Sequence, residues 1–169
     1  MSELFSPERV AVVCRDYGLE PGQAMDLKNG YDFDLAADRQ RAWDSILKDK
    51  PMLVIGSPPC TYFSRLQELN KHMYRDNAVW MAKFHEHVDQ AKRYVRFCVK
   101  VYNHQREHNR YLLHEHPWLA TSWFLPEMTK LEGNSDVLKV RTDMCQFGMV
   151  SRTAGIGSAL GLVLKPTGF

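Results

Sequence analysis

Three residues stand where an open parallel sheet does its chemistry. Cys60 follows Pro58-Pro59 and the apolar run Met52-Leu53-Val54-Ile55, Glu115 follows Tyr111-Leu112-Leu113-His114, and Asp26 closes Gln23-Ala24-Met25. Ligands in such sheets bind beyond the carboxyl ends of the strands. A thiol placed there is a nucleophile once deprotonated, and a carboxyl group beside it can hold or move a proton. The two prolines fix the backbone and remove two amide donors, making a stiff turn that can aim one thiol. The plain alternative is that a lone cysteine is a small buried apolar residue. That reading applies to Cys14 and Cys98, which lie on the apolar faces of expected helices, whereas both readings stand at Cys60. For Glu115 the alternative is a surface acid at a strand end.

Seven histidines raise the question of a metal, above all in His85-Glu86-His87 and His114-Glu115-His116. The first tripeptide falls in an expected helix, where residues two apart diverge, and no cysteine pair accompanies either. No metal ligands are therefore assigned. A zinc deaminase would need a cysteine where Phe63 stands.

The elements that position these residues alternate along the chain. Glu3-Leu4-Phe5 reads as a strand running into a helix that Ser6-Pro7-Glu8 starts and Gly18 ends. Gln23 to Asp26 is a second strand, and Asp34 caps a helix carrying Leu35, Ala42, Trp43, Ile46 and Leu47. The Met52 to Ile55 run is apolar throughout, as a strand buried on both faces should be. From Asp76 to Asn109 neither Gly nor Pro occurs, and apolar residues recur in steps of three and four, predicting one long amphipathic helix or two joined by a kink. After the Tyr111 to His114 strand come a helix near Pro126 to Leu131 and a strand at Val137 to Val140. Strand and helix in alternation predict an α/β fold with a mostly parallel sheet in a three-layer sandwich.

Bulk composition narrows the class. At 169 residues, with 44% apolar and 25% charged residues, the chain fits a single packed domain, residues 1–169. A net charge of +2 is too small to hold DNA by backbone attraction alone, so any nucleic-acid contact is local. Lys83, Lys92, Arg93, Arg96 and Lys100 read as a solvated helix face, and Tyr62, Phe63, Trp118, Trp123 and Phe124 as mostly core with the capacity to stack a base. Four scattered cysteines and no apolar leader or membrane-length stretch lead to the expectation of an intracellular protein with reduced thiols.

The stretch Gly56-Ser57-Pro58-Pro59-Cys60-Thr61-Tyr62-Phe63-Ser64 resembles the Pro-Pro-Cys-x-x-Phe-Ser signature of the DNA cytosine-C5 methyltransferase family. Other landmarks follow in the family's order: Glu3-Leu4-Phe5-Ser6 at the start, an acid after the second strand, Glu115-His116-Pro117 where the family has Glu-Asn-Val or Glu-Asn-Pro, and Phe147-Gly148 followed by Arg152. Thymidylate synthases also place a nucleophilic cysteine after two prolines, but their other landmarks are absent. The resemblance implies a Rossmann-like fold dependent on S-adenosylmethionine. It implies that Cys60 attacks carbon 6 of cytosine, turning a poor carbon nucleophile into one that accepts a methyl group. Glu115 would hold the ring nitrogen and amino edge, a task suited to a carboxyl group in a dry pocket, and Arg152 would contact the base oxygen. Ser57, Pro58, Pro59, Phe63, Ser64 and His116 would line the substrate, which in duplex DNA must be flipped from the stack.

For the cofactor, the resemblance implies Phe5 and Ser6 at the amino-acid end, Asp26 on the ribose, and Asp32 and Phe33 at the adenine. The family's Phe-x-Gly-x-Gly loop is here Phe5-Ser6-Pro7-Glu8-Arg9, without glycine, and the sequence ends at Phe169 with no target-recognition region. Two expectations follow. One is pyrimidine C5 methylation, on DNA or a pyrimidine nucleotide, with a complementing subunit or second copy supplying the rest. The other is a cofactor-free relative of the fold that binds a nucleotide, nucleic acid or protein.

Overall fold

The computed structural model describes residues 1–152 and 160–169, with the side chains of residues 152, 160 and 161 outside that description. Four strands, β1 (Ser2–Leu4), β2 (Ala24–Met25), β3 (Leu53–Gly56) and β4 (Tyr111–His114), form an all-parallel sheet in the order β2-β1-β3-β4. The registers pair Leu4 with Met25 and Gly56, and Gly56 with His114, so all four carboxyl ends reach one edge. Strand order reverses direction at β1, which opens a crevice between the turns leaving β1 and β3.

Both faces of the sheet are covered, and the strand period of two decides which residue meets which layer. Val54 and Leu112 pack with Ala42 and Ile46 of α2 (Ala36–Asp49) and Val95, Cys98 and Tyr102 of α4 (Ala78–Glu107). Leu53, Ile55 and Leu113 turn the other way, towards Ala11 of the short helix α1 (Val10–Val13) and Cys14 just beyond it. The thick layer exists because α4 runs 30 residues unbroken, as a span without Gly or Pro allows. It starts at Asn77, whose side chain accepts from the Trp80 amide at 3.0 Å.

Several local expectations shift. The first helix starts at Val10, not at Ser6, because the buried Glu3 carboxylate does the capping: its Oε1 accepts from the amides of Arg9, Val10 and Ala11 at 3.2, 3.0 and 2.8 Å. Asp34 does not cap α2; its carboxylate faces α4, pairing with Arg93 and accepting from Gln90. The segment Leu66–Met73 forms an additional helix, α3. Val137 to Val140 is not a strand. The pairing lies on either side of it, in β5 (His116–Pro117), β6 (Arg141–Asp143) and β9 (Pro166–Gly168), which form a small antiparallel sheet in the order β5-β9-β6. Between these come α5 (Pro126–Glu132) and the antiparallel pair β7 (Val150–Arg152) and β8 (Leu160–Leu162). Among the described residues no helix is long and apolar enough to cross a membrane.

Candidate active site

Cys60 and Glu115 leave the carboxyl ends of neighbouring parallel strands. The Glu115 amide donates to the Gly56 carbonyl at 2.9 Å, and the Ser57 amide donates to Leu4 at 3.1 Å, so the ladder continues one residue past each strand before the turns begin. Only glycine fits at position 56. A Cβ there would lie 2.0 Å from Tyr102 Oη and 3.2 Å from Cys98 Sγ, both fully buried on α4.

The turn itself is anchored from below. His116 is fully buried, its Nε2 lies 3.1 Å from the Pro58 carbonyl, and its Nδ1 meets the Ser122 hydroxyl. A carbonyl can only accept, so Nε2 carries the proton and Nδ1 accepts from Ser122. Burial pushes the His116 pKa down to about 4 against the opposing Pro58 bond, with nearby Lys165 adding to the depression. A neutral ring of one tautomer therefore holds the Pro-Pro-Cys turn. The family-like residues that follow are similarly spent on structure. Phe63 is buried edge-on to His116, and the Ser64 hydroxyl accepts from the Leu66 amide at 3.3 Å at the start of α3.

What this anchoring leaves available is Cys60. The residue is partly exposed, with φ −99° and ψ −4° at the head of a short 3₁₀ turn over Thr61–Phe63. Its side lines a cavity of about 380 Å³ with Thr61, Ser64, Arg65, Pro117 and Leu119. Cys98, by contrast, is buried and its thiol is pushed up to about 12 by desolvation, the state of a packing residue. Cys14 is also buried.

Glu115 is not among the residues that line this cavity, although Pro117, two residues further on, is. Its carboxylate is 28% exposed and pairs with Lys165 Nζ at 3.6 Å. Lys165 was not singled out in the sequence, because it sits next to the site only through the antiparallel pairing of β9 with β5, which places Pro166 to Gly168 alongside His116-Pro117. No local pattern carries that pairing. Of the further substrate candidates, Pro58 is buried, Pro59 is exposed and Ser57 is partly buried. Arg152 contributes its backbone to β7, and its side chain lies outside the described residues.

At the β1 and β2 ends the expected cofactor residues come together, but much of their capacity is used internally. Asp26 follows β2 and accepts from the Lys28 amide at 3.0 Å. Asp32 accepts from the Asp34 amide, and Ser6 donates to the Glu3 carboxylate at 3.0 Å. Phe5 adopts φ 59°, an uncommon conformation for an aromatic residue, and its ring packs 4.1 Å from Phe33 and 5.1 Å from Tyr94. Phe33 is 4% exposed and belongs to the core.

Arg96 pairs with Glu127, Arg93 with Asp34, and Lys92 with Asp89, while Lys100 lies 3.9 Å over the Trp43 ring. Of the five aromatic residues, Trp123 and Phe63 are buried and Tyr62 stacks on His87 at 4.9 Å, while Phe124 is 79% exposed. Compared with protein-family models, curated proteins and solved structures, the chain matches none.

Proposed function

We propose that this chain is a pyrimidine C5 methyltransferase-like catalytic core, of Rossmann-like methyltransferase fold, acting on cytosine in DNA through a covalent bond from Cys60. The observation that carries the reading is the anchored Pro-Pro-Cys turn on β3 beside Glu115 on β4, with a cavity opening on the thiol. In this reading the Cys60 thiolate forms a bond to carbon 6 of the base, and the electron pair moves to carbon 5. Glu115 holds the proton at the ring nitrogen, and Lys165 keeps that carboxylate in place. After substitution at carbon 5 a water molecule takes the proton from that carbon, its electron pair re-forms the double bond to carbon 6, and the Cys60 bond breaks to restore the thiolate. S-adenosylmethionine, when bound, supplies the methyl group. Asp26, at the carboxyl end of the strand next to β1, stands where a ribose is held in sheets of this kind.

A second reading, a cofactor-free binding module of the same fold, has its own observation. Phe5 turns its ring onto Phe33 and Tyr94, and Glu3 takes the amides of Arg9 to Ala11, in the loop where the resembling family has glycines. Calorimetric titration with S-adenosylmethionine and S-adenosylhomocysteine separates the two. The first reading expects one binding site, weakened roughly fivefold or more by Asp26→Ala, the scale of one lost hydrogen bond of about 1 kcal/mol. No binding of either compound leaves the second reading standing.

A further inference from the structure

We propose that the last turn of α4 is a binding site for a zinc-class divalent cation, formed by His104, Glu107 and His108. The three residues are spaced i, i+3 and i+4, which brings them to one side of a helix. Their ligand atoms, one from each residue, all lie within 4.8 Å of one another. Bonds of about 2.1 Å to a tetrahedral zinc require ligand atoms roughly 3.4 Å apart, a spacing that rotamer adjustment of the exposed Glu107 and His108 towards His104 reaches. The two imidazole rings already stand 4.1 Å apart.

The surroundings order the donors. His108 Nδ1 lies 2.8 Å from the His104 carbonyl oxygen, which can only accept, so Nδ1 bears the proton and Nε2 keeps its lone pair. A metal-bound histidine is usually held in this way, its second nitrogen donating to a carbonyl. His104 is half-buried and held by Trp43 of α2, ring to ring at 5.1 Å. The end of a helix, with its unpaired carbonyls, favours positive charge. Arg106, between the two histidines in sequence, is turned away and bonded to Asp136 at 3.0 and 2.7 Å. Arg110 donates to Gln105 at 2.9 Å.

Two imidazoles and one carboxylate suit zinc better than the hard cations magnesium and calcium, and three ligands leave a coordination position for water. The site is remote from Cys60 and Glu115. Gln105, on the same turn, bonds the carbonyls of Pro51 and Tyr111, at the amino ends of β3 and β4, whereas Cys60 and Glu115 follow their carboxyl ends. The inference therefore stands or falls independently of the catalytic reading. A bound cation would tie together the end of α4 just before Asn109, where φ of 55° turns the chain into β4.

The test is calorimetric titration of chelator-treated protein with zinc chloride, with magnesium chloride as the control ion. The expected result is one equivalent of zinc and no magnesium response. His104→Ala and His108→Ala should each weaken zinc binding by at least about tenfold, and Glu107→Gln by less. The His85→Ala/His87→Ala variant should bind like the parent. His108 is exposed, so its variant keeps the fold, which circular dichroism checks. Absence of zinc binding by the parent, or unchanged binding when both His104 and His108 are replaced, overturns the proposal.

Discussion

His116 shows how much of a site can be spent on holding one turn. It stands where the resembling family has asparagine, and both its nitrogens are engaged inside the protein, on Pro58 and Ser122. Replacing it with alanine leaves a carbonyl and a hydroxyl without partners, and urea unfolding should show a loss of roughly 2 to 4 kcal/mol, about 1 to 3 for each orphaned group less relaxation. His114 shares its burial: its Nδ1 meets Tyr102 Oη at 3.0 Å, and desolvation, aided by His116 and Lys139, lowers its pKa to about 3. Both rings are neutral when folded but gain a proton in the unfolded chain below about pH 6.5. Unfolded protein thus binds more protons in that range, so stability is fully present above about pH 6.5 and falls as pH drops towards the folded values of about 4 and about 3. Unfolding free energies measured near neutrality and near pH 5 should differ by roughly 3 to 4 kcal/mol, about 2 for each ring, with a smaller difference in His114→Gln. Equal stability at both values would remove the buried neutral pair from the description.

At the scale of elements, Gly56 ends β3 where α4 passes closest. Gly56→Ala should destabilise by roughly 2 kcal/mol or more, as overpacking in a core does, and Tyr102→Phe should restore part of that loss because it removes the hydroxyl that a Cβ would meet at 2.0 Å. Additive losses in the double variant would contradict the clash. Glu3 plays the matching part at β1, and Glu3→Gln should lower stability by about 1 to 2 kcal/mol in a chemical unfolding curve, since a charged acceptor on three amides becomes a neutral one. The sheet was legible in the sequence because its signals are local. The Met52 to Ile55 and Tyr111 to His114 runs are apolar and bounded, and the span from Asp76 to Asn109 has no helix breaker, so β3, β4 and α4 lie close to their expected places. Cys60 and Glu115 were legible for the same reason, since each directly follows such a run. The start of α1 was not, because Ser6-Pro7 has the right types for a cap but Glu3, from the preceding strand, outcompetes it. The β5-β9-β6 sheet was not either: its strands are two or three residues long and pair across up to 52 positions of sequence, and with them went Lys165.

For the molecule as a whole, a four-stranded parallel sheet with helices on both faces delivers a thiol and a carboxylate to one edge, and a small antiparallel sheet brings a lysine to the carboxylate. Under the proposed function a nucleic-acid partner is recognised at the flipped base and at exposed groups such as Phe124. The central claim is that Cys60 adds covalently to a pyrimidine, and it is tested most directly with DNA containing cytosine fluorinated at carbon 5. Fluorine cannot leave as a proton would, so the covalent complex should accumulate, and peptide mass spectrometry in the presence of S-adenosylmethionine should place the adduct on Cys60. Cys60→Ser should abolish it, Cys145→Ser should not, and Glu115→Gln should slow its formation while leaving base binding in place. Wild-type protein that binds both S-adenosylmethionine and this DNA yet forms no adduct on Cys60 would contradict the claim.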